Sequence, residues 1–151
     1  WSVVSSPWTT MPRESPTSRM SAPASSIIRA MPRREVVTIE VGSALSEAVS
    51  AFQSKAISQL PCTDDGRLVG ILTESDLLHL LVERRATVET SVAEVMNRNV
   101  STVEMHDPAG ALPEIFDRGE VALVVEDGRV RSLLTKIDLI NFLSTRPAPA
   151  P

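Results

Sequence analysis

The chain has 151 residues, of which 42% are hydrophobic and only 3% aromatic, and it carries a formal net charge of −4. This composition allows one ordinary domain or two small fused halves with an aliphatic core. The acidic balance and the scarcity of aromatic side chains argue against binding to nucleic acid or to an anionic membrane. Its single cysteine, Cys62, excludes an internal disulfide, and no Cys/His cluster has metal-ligand spacing.

The N-terminal stretch differs in composition from the rest of the chain. Residues 1–26 are rich in Ser, Thr and Pro and follow neither a strand nor a helix period, so we predict a disordered tail or linker. Trp1 and Trp8 lie in it, either as a non-specific flank or as an anchor onto a partner. We also predict disorder over residues 147–151, and we expect the fold not to need residues 1–25.

No apolar run approaches the roughly 18 residues that a membrane-spanning helix needs. Residues 1–30 also lack the continuous apolar stretch of a signal peptide. Together with the lone cysteine, these features lead us to expect a cytoplasmic protein that does not bind membranes.

The remaining sequence contains two similar units, residues 27–90 and 91–146. The stretch GILTESD at residues 70–76 recurs as SLLTKID at residues 132–138, 62 positions later. A unit of this length is marginal alone, so two units should pack against each other. We therefore predict an α+β fold in which two tandem β-α-β-β-α repeats pack with pseudo-twofold symmetry.

The elements of each unit follow from hydrophobic periodicity and turn residues. The first unit has a short helical leading segment at residues 26–31, a β-branched strand at 36–39, an amphipathic helix starting near Ser43 with the stripe Leu45, Ala48, Val49 and Phe52, and strands at 57–62 and 68–72. The second unit repeats these elements at 91–96, at 100–103, at Leu112, Ile115 and Phe116, and at 121–125 and 130–134. Asp65-Gly66 and Asp127-Gly128 each predict a tight hairpin turn.

The Thr-x-x-Asp motif before each closing helix has two interpretations. It is a capping pattern in which side chains satisfy the free N–H groups of a helix start. The same hydroxyl, carboxylate and N–H groups also suit a sugar and phosphates. For one copy taken alone, the cap is the more common outcome.

Two tandem units of this order resemble the cystathionine beta-synthase (CBS) domain pair, also called a Bateman module. The resemblance covers about residues 27–145, and its most specific pieces are ISQLP at 57–61, DGRLVGILTESDLL at 65–78 and VALVVEDG at 121–128. The closing LTKIDLINFL at 134–143 most resembles the C-terminal regulatory region of the cystathionine beta-synthases.

The resemblance implies a regulatory module that binds an adenosyl compound such as AMP, ATP or S-adenosylmethionine and controls a partner protein or an attached domain. Carried over by position, Asp76 and Asp138 would accept hydrogen bonds from ribose hydroxyls. Thr73 and Thr135 would hold the phosphate or the 5′ substituent. The other implied ligand-binding residues are Ser75 and Ile137 within the motifs, Leu60, Pro61, Cys62, Ala122, Leu123 and Val124, whose backbone groups would face the base, and Val37, Ile39 and Val103 as apolar lining.

We expect the two motifs to differ in ligand preference. The first contains Glu74, whereas the second contains Lys136 and follows Arg131, so a polyphosphate should prefer the second and a cationic 5′ substituent should tolerate the first. Ser132 stands where the first unit has Gly70, which alters the shape of one cleft. Three arginines are candidates for contact with the phosphates of a ligand: Arg33, Arg34 and Arg131. Exposed arginines in proteins are, however, more often solvated surface.

We expect no enzymatic activity, catalytic residue, metal or cofactor in this chain. Two alternatives to an adenosyl sensor stay open, a ligand-free dimerisation scaffold and a fragment of a pyridoxal-phosphate enzyme that lacks its catalytic domain. The apolar faces of the closing helices, residues 75–81 and 137–143, predict a homodimer.

Overall fold

Two three-stranded sheets of the same topology follow each other along the chain. The structure is a computed structural model, and it describes residues 19–144. The first half contains α1 (Ala24–Ala30), β1 (Ile39–Glu40), α2 (Leu45–Lys55), β2 (Gln59–Asp64), β3 (Arg67–Thr73) and α3 (Glu74–Val82). The second half contains α4 (Val92–Val95), β4 (Thr102–Glu104), a 3-10 turn (Ala109–Ala111), α5 (Leu112–Asp117), β5 (Ala122–Glu126), β6 (Arg129–Leu134) and α6 (Lys136–Ser144).

The strand order in the two sheets is β1-β2-β3 and β4-β5-β6. In each sheet the first strand is parallel to the second, and the second is antiparallel to the third. Helices α2 and α5 make the crossovers that a parallel strand pair requires. The predicted α+β fold with two β-α-β-β-α repeats is confirmed.

Both predicted hairpins are present. Asp65 and Gly66 have φ angles of 52° and 82°, and Asp127 and Gly128 have φ angles of 52° and 78°. Positive φ at both turn residues gives the tight turn whose twist matches the flanking strands, and Asp-Gly adopts it readily.

The amphipathic stripes bury the sides of α2 and α5 that their periodicity predicts. Leu45, Ala48 and Phe52 lie in a first core with Leu60, Leu72 and Leu77. Leu112, Ile115 and Phe116 lie in a second core with Val124, Leu134 and Leu139. Each repeat thus has its own aliphatic core.

The leading helices α1 and α4 are exchanged between these cores. Ala24 and Ile27 on α1 are 1% and 0% exposed, and they pack in the second core although α1 leads into the first repeat. Val92 on α4 is equally buried, but in the first core. Neither repeat therefore completes its core without a segment from the other.

Part of the predicted disordered tail is ordered. The N–H of Ala24 donates to the carbonyl of Asp107 over 2.7 Å, and the N–H of Ser25 donates to the carbonyl of Met105 over 3.0 Å. The prediction of disorder is wrong for residues 19–26, because backbone pairing of this kind leaves no hydrophobic period in the sequence. The expectation that the fold does not need residues 1–25 stays a prediction. The rest of the tail, with Trp1 and Trp8, and residues 147–151 lie outside the described residues.

The first strand of each sheet is shorter than predicted. Ladder pairing is limited to Ile39–Glu40 and Thr102–Glu104, whereas the β-branched runs begin at residues 36 and 100. The side chains at these earlier positions line cavities between the repeats. A run of β-branched residues therefore predicts extended backbone here, but it does not predict how many of its residues pair with the neighbouring strand.

The two repeats meet at β3 and β6 in a reciprocal contact. The N–H of Leu68 donates to the carbonyl of Gly128 over 3.0 Å. The Arg129 side chain lies against Gly66, and the Arg67 side chain lies against Gly128. Gly66 and Arg67 correspond to Gly128 and Arg129 in the second repeat, 62 positions later, so the two contacts are equivalent. This agrees with the predicted pseudo-twofold relation.

Candidate binding clefts

Two cavities lie between the repeats, and they are lined by equivalent residues with the roles of the two repeats interchanged. The Thr135 cleft, of about 250 Å³, is lined by residues 34–37, 56–59 and 61 of the first repeat and by Ser132, Leu133 and Thr135 of the second. The Thr73 cleft, of about 130 Å³, is lined by residues 97, 99–101, 119–121 and 123 of the second repeat and by Gln59, Ile71, Thr73 and Asp76 of the first. Each cleft thus combines the helix start of one repeat with the leading segment of the other.

In the Thr135 cleft, the threonine and the aspartate of the Thr-x-x-Asp motif are hydrogen-bonded to each other. The Asp138 carboxylate accepts from the N–H of Thr135 over 2.8 Å and from its hydroxyl over 3.0 Å. The same oxygen accepts from Arg34 Nη2 over 2.9 Å, and Asp138 is only 7% exposed. Asp138 therefore caps α6 and pairs with a cation from the other repeat.

In the Thr73 cleft, the corresponding carboxylate faces solvent. Thr73 Oγ1 accepts from the N–H of Asp76 over 3.0 Å, so the threonine caps α3. Asp76 is exposed, and within residues 19–144 its carboxylate has no hydrogen bond or ion pair. Both copies of the motif serve as helix caps, but the first copy leaves its carboxylate open to a ligand.

The rim of the Thr73 cleft adds a second acid. Ser101 Oγ donates to Glu120, and Arg118 Nη2 donates to Ser101 Oγ over 3.1 Å and to Glu120 over 3.5 Å. No Lys or Arg lines this cleft in the described part of the chain. The Thr135 cleft, in contrast, contains Arg34 beside Glu35.

The structure brings part of the predicted site together. Val37, Pro61 and Thr135 line the Thr135 cleft, and Asp138 lies beside it through its bonds to Thr135 and Arg34. Thr73, Asp76 and Leu123 line the Thr73 cleft.

The structure places the remaining predicted residues elsewhere. Ile39, Leu60 and Cys62 are buried in the first core, and Val103, Ala122 and Val124 are buried in the second. Because side chains alternate along a strand, only the side chains of the middle residues Pro61 and Leu123 reach a cleft. The contact of the backbone groups of residues 60–62 and 122–124 with a base stays a prediction. Ser75 and Ile137 are exposed on their helices and line neither cleft. Ile39 and Val103 line neither of these two clefts, and their role as apolar lining stays a prediction.

Sequence reasoning missed most of the polar lining. Gln59 contributes to both clefts, while Asn97, Asn99 and Ser101 contribute to one. Asn97 and Asn99 lie between the leading segment at 91–96 and the predicted strand at 100–103, where no motif marks them. Gln59 and Ser101 lie inside predicted strands, and Gln59 is also part of the ISQLP stretch that carries the family resemblance.

Two side chains have perturbed acidities with clear causes. Burial raises the pKa of Cys62 to about 12, so its thiol stays protonated and is not a nucleophile near neutral pH. Hydrogen bonds from the Thr63 hydroxyl and from the N–H groups of Gly66 and Asp65 hold the pKa of Glu40 below its ordinary value. Glu40 thereby fastens the tip of the first hairpin to β1.

Two further features are absent from the part of the chain that the structure describes. In residues 19–144, no group of three His, Cys, Asp or Glu side chains has the arrangement of a metal site. Over the same range, no helix has the length and apolarity needed to cross a membrane.

Comparison with known proteins decides the family. The family model described as the CBS domain matches residues 27–83 and 92–145. The chain belongs to the CBS domain family. As a CBS pair it is a regulatory module, and the predicted resemblance is confirmed.

Relatives of this CBS pair include longer proteins. It is 27% identical over 114 residues to an uncharacterized protein of Methanocaldococcus jannaschii, covering 74% of this chain and 37% of that protein. It is 27% identical over 113 residues to a cystathionine beta-synthase of Dictyostelium discoideum, covering 71% of this chain and 23% of that enzyme. The chain thus spans less than half the length of these relatives.

A solved CBS pair shows the same fold with ligands bound. The CBS domain pair of protein MJ0100, in complex with 5′-methylthioadenosine and S-adenosylmethionine, matches with a TM-score of 0.64 and 24% identity. The match covers 79% of this chain and 93% of that chain.

Proposed function

We propose that this CBS pair senses an adenosyl compound in the Thr73 cleft and thereby controls a partner protein or an attached domain. The observation that carries the proposal is the exposed Asp76 carboxylate at a capped helix start, beside a cavity between the repeats. One carboxylate accepts hydrogen bonds from two vicinal ribose hydroxyls at once.

The remaining lining suits the rest of an adenosyl ligand. Ile71, Val100 and Leu123 offer apolar surface for the base. Within residues 19–144, Asp76 is unpaired, Glu120 at the rim is paired with Arg118, and no Lys or Arg lines the cleft. A cationic or neutral 5′ group therefore suits the cleft better than phosphates do. S-adenosylmethionine and 5′-methylthioadenosine have such groups, and the MJ0100 pair of the same fold binds both.

Asp76→Asn should weaken binding of S-adenosylmethionine about tenfold or more, since a hydrogen bond to a charged group contributes about 1.5–3 kcal/mol. Isothermal calorimetry on the wild type and the variant measures this directly. Asp64→Asn is the matched control, because it removes the same charge from the exposed end of β2, outside both clefts.

Two results would contradict the proposal. One is equal affinity in the wild type and Asp76→Asn. The other is a failure of S-adenosylmethionine, 5′-methylthioadenosine, AMP and ATP to raise the melting temperature at millimolar concentration, since a ligand at a hundred times its dissociation constant adds about 2.7 kcal/mol. The second result would favour the ligand-free scaffold.

A ligand in this cleft would act on the relative position of the two repeats. It would contact Thr73 and Asp76 from the first repeat and the segment 99–101 from the second. That segment follows α4, whose Val92 is buried in the first core. Binding would therefore favour one arrangement of the repeats, and a partner or attached domain would respond to it.

We propose further that the chain acts by binding alone, without a catalytic centre of its own, in the cytoplasm. The buried, protonated Cys62 and the capping role of Thr73 support the first part, because neither group is activated as a nucleophile. The chain has a single, buried cysteine and so no internal disulfide, which suits a reducing compartment.

We expect the module to be a homodimer held by the closing helices. Leu78 and Val82 on α3 are 59% and 69% exposed, and Ile137 and Ile140 on α6 are 56% and 54% exposed. Leu78→Glu should halve the mass measured by light scattering at tens of micromolar, because a charge in an apolar interface is costly. Val88→Glu, in the exposed loop between the repeats, should leave the mass unchanged. A monomeric wild type would refute the dimer.

A further inference from the structure

A cavity rich in arginine lies next to the Thr135 cleft. It encloses about 430 Å³ between the segment that follows α1 and strand β6. Its lining includes Arg29, Arg33, Arg34 and Arg131, and within residues 19–144 no Asp or Glu lines it. We call it the arginine pocket. Arg34 and Ser132 line both the pocket and the cleft, so the two spaces are adjacent.

The pocket exists because the pseudo-symmetry of the repeats is broken there. In the other repeat, Asn97 follows Met96 and exchanges two hydrogen bonds of 2.8 Å with Ile71 on β3. The approach is so close that a Cβ on Gly70 would lie 2.7 Å from Met96 Sδ. The chain therefore leaves no room between this segment and β3.

The equivalent segment beside β6 cannot pack in this way. Pro32 follows Met31 where Asn97 follows Met96, and proline has no N–H to donate. Ser132 stands where β3 has Gly70, so its side chain occupies the space that the close approach requires. Within the described residues, no backbone hydrogen bond joins this segment to Leu133. The segment stands away from β6, and the pocket opens between them.

The arginines of the pocket are only partly neutralised. Arg34 pairs with Asp138 over 2.9 Å, and Arg131 forms an exposed pair with Glu126 over 3.5 Å. The other two lack a carboxylate partner in the described part of the chain: Arg29 approaches only Ser26 Oγ, at 3.5 Å, and Arg33 has no hydrogen bond or ion pair. An exposed pair such as Arg131–Glu126 is also weak. This excess of cations occurs in a chain whose net charge is −4.

We propose that the arginine pocket binds a chain of two or more linked phosphates. Guanidinium groups match phosphate oxygens with paired hydrogen bonds. The cations come from different elements of the lining, Arg29 from α1, Arg33 from the segment that follows α1, and Arg131 from β6. Linked phosphates engage several of these elements at once, which a single phosphate does less well. The chain is either free polyphosphate or the tail of a nucleotide whose base occupies the Thr135 cleft.

Calorimetry at fixed ionic strength tests the pocket with tripolyphosphate and orthophosphate as probes. Tripolyphosphate should bind more tightly than orthophosphate. Arg33→Gln and Arg131→Gln should each weaken tripolyphosphate binding about tenfold or more, because each removes a hydrogen bond between charged groups. Both side chains are exposed, so the variants should fold. The matched control is Arg85→Gln, an exposed arginine paired with Glu83 far from the pocket in sequence.

The proposal is overturned if tripolyphosphate does not bind at millimolar concentration, or if Arg85→Gln weakens binding as much as the pocket variants do. ATP and adenosine then distinguish the two sources. ATP that binds more tightly than tripolyphosphate, and that loses affinity in Arg33→Gln while adenosine does not, identifies a nucleotide tail. Equal affinity for ATP and tripolyphosphate identifies a free phosphate chain. Asp76→Asn should change neither result, so failure of the adenosyl proposal is separable from failure of this one.

Discussion

Ile27→Ala should destabilise the whole module by about 2–5 kcal/mol, the usual cost of truncating a fully buried aliphatic side chain. Ile27 is 0% exposed and packs in the second core with Val103, Leu112 and Phe116. The effect is large for a residue so close to the predicted tail, because α1 fills a space that the second repeat cannot fill itself.

Urea unfolding of the wild type and the variant measures this loss, with Val88→Ala as the control. Val88 is 46% exposed in the loop between the repeats, outside the closing helices, so its truncation should change the unfolding free energy by about 0.5 kcal/mol or less. Equal losses in the two variants would show that α1 is not docked in the second core in solution.

Gly70→Ala should cost about 1–3 kcal/mol, the range for inserting a methyl group into a space that has no room for it. A Cβ at this position would lie 2.7 Å from Met96 Sδ and 2.9 Å from the carbonyl oxygen of Asn97. The sulfur can rotate away, but the carbonyl belongs to backbone that is hydrogen-bonded to Ile71. The segment must therefore move away from β3.

Thermal unfolding compares Gly70→Ala with Gly42→Ala, whose Cβ would have no atom within 4 Å. The control variant should match the wild type or be slightly more stable, since alanine restricts the unfolded chain. If both variants have the same melting temperature, the contact between Met96 and β3 contributes nothing to stability. The loss of that contact in the other repeat would then not account for the arginine pocket.

Local elements could be predicted from the sequence because their signals lie within a few residues. Asp65-Gly66 determines a turn without reference to the rest of the chain, and the spacing from Leu45 to Phe52 determines which side of α2 is buried. The repeat could be predicted for the same reason, because each copy of the motif keeps its residue spacing regardless of how the two copies pack.

The clefts could be predicted only in part, because they form between the repeats. The sequence indicates that Asp76 and Asp138 occupy equivalent positions. It does not indicate that Arg34 pairs with Asp138, whereas no Lys or Arg of residues 19–144 pairs with Asp76. It also does not indicate that α1 crosses to the second core, since a helix of seven residues carries about two turns of pattern. Such information depends on tertiary packing.

The exchange of α1 and α4 also sets the order in which the chain can fold as it leaves the ribosome. The first core needs Val92, so it closes soon after the first repeat has been synthesised. Ile27 is made much earlier, yet its partners extend from Val103 to Leu139. Within residues 19–144, one of the earliest buried side chains to be made is therefore among the last to be covered, and until α6 emerges it presents apolar surface to chaperones and to neighbouring nascent chains.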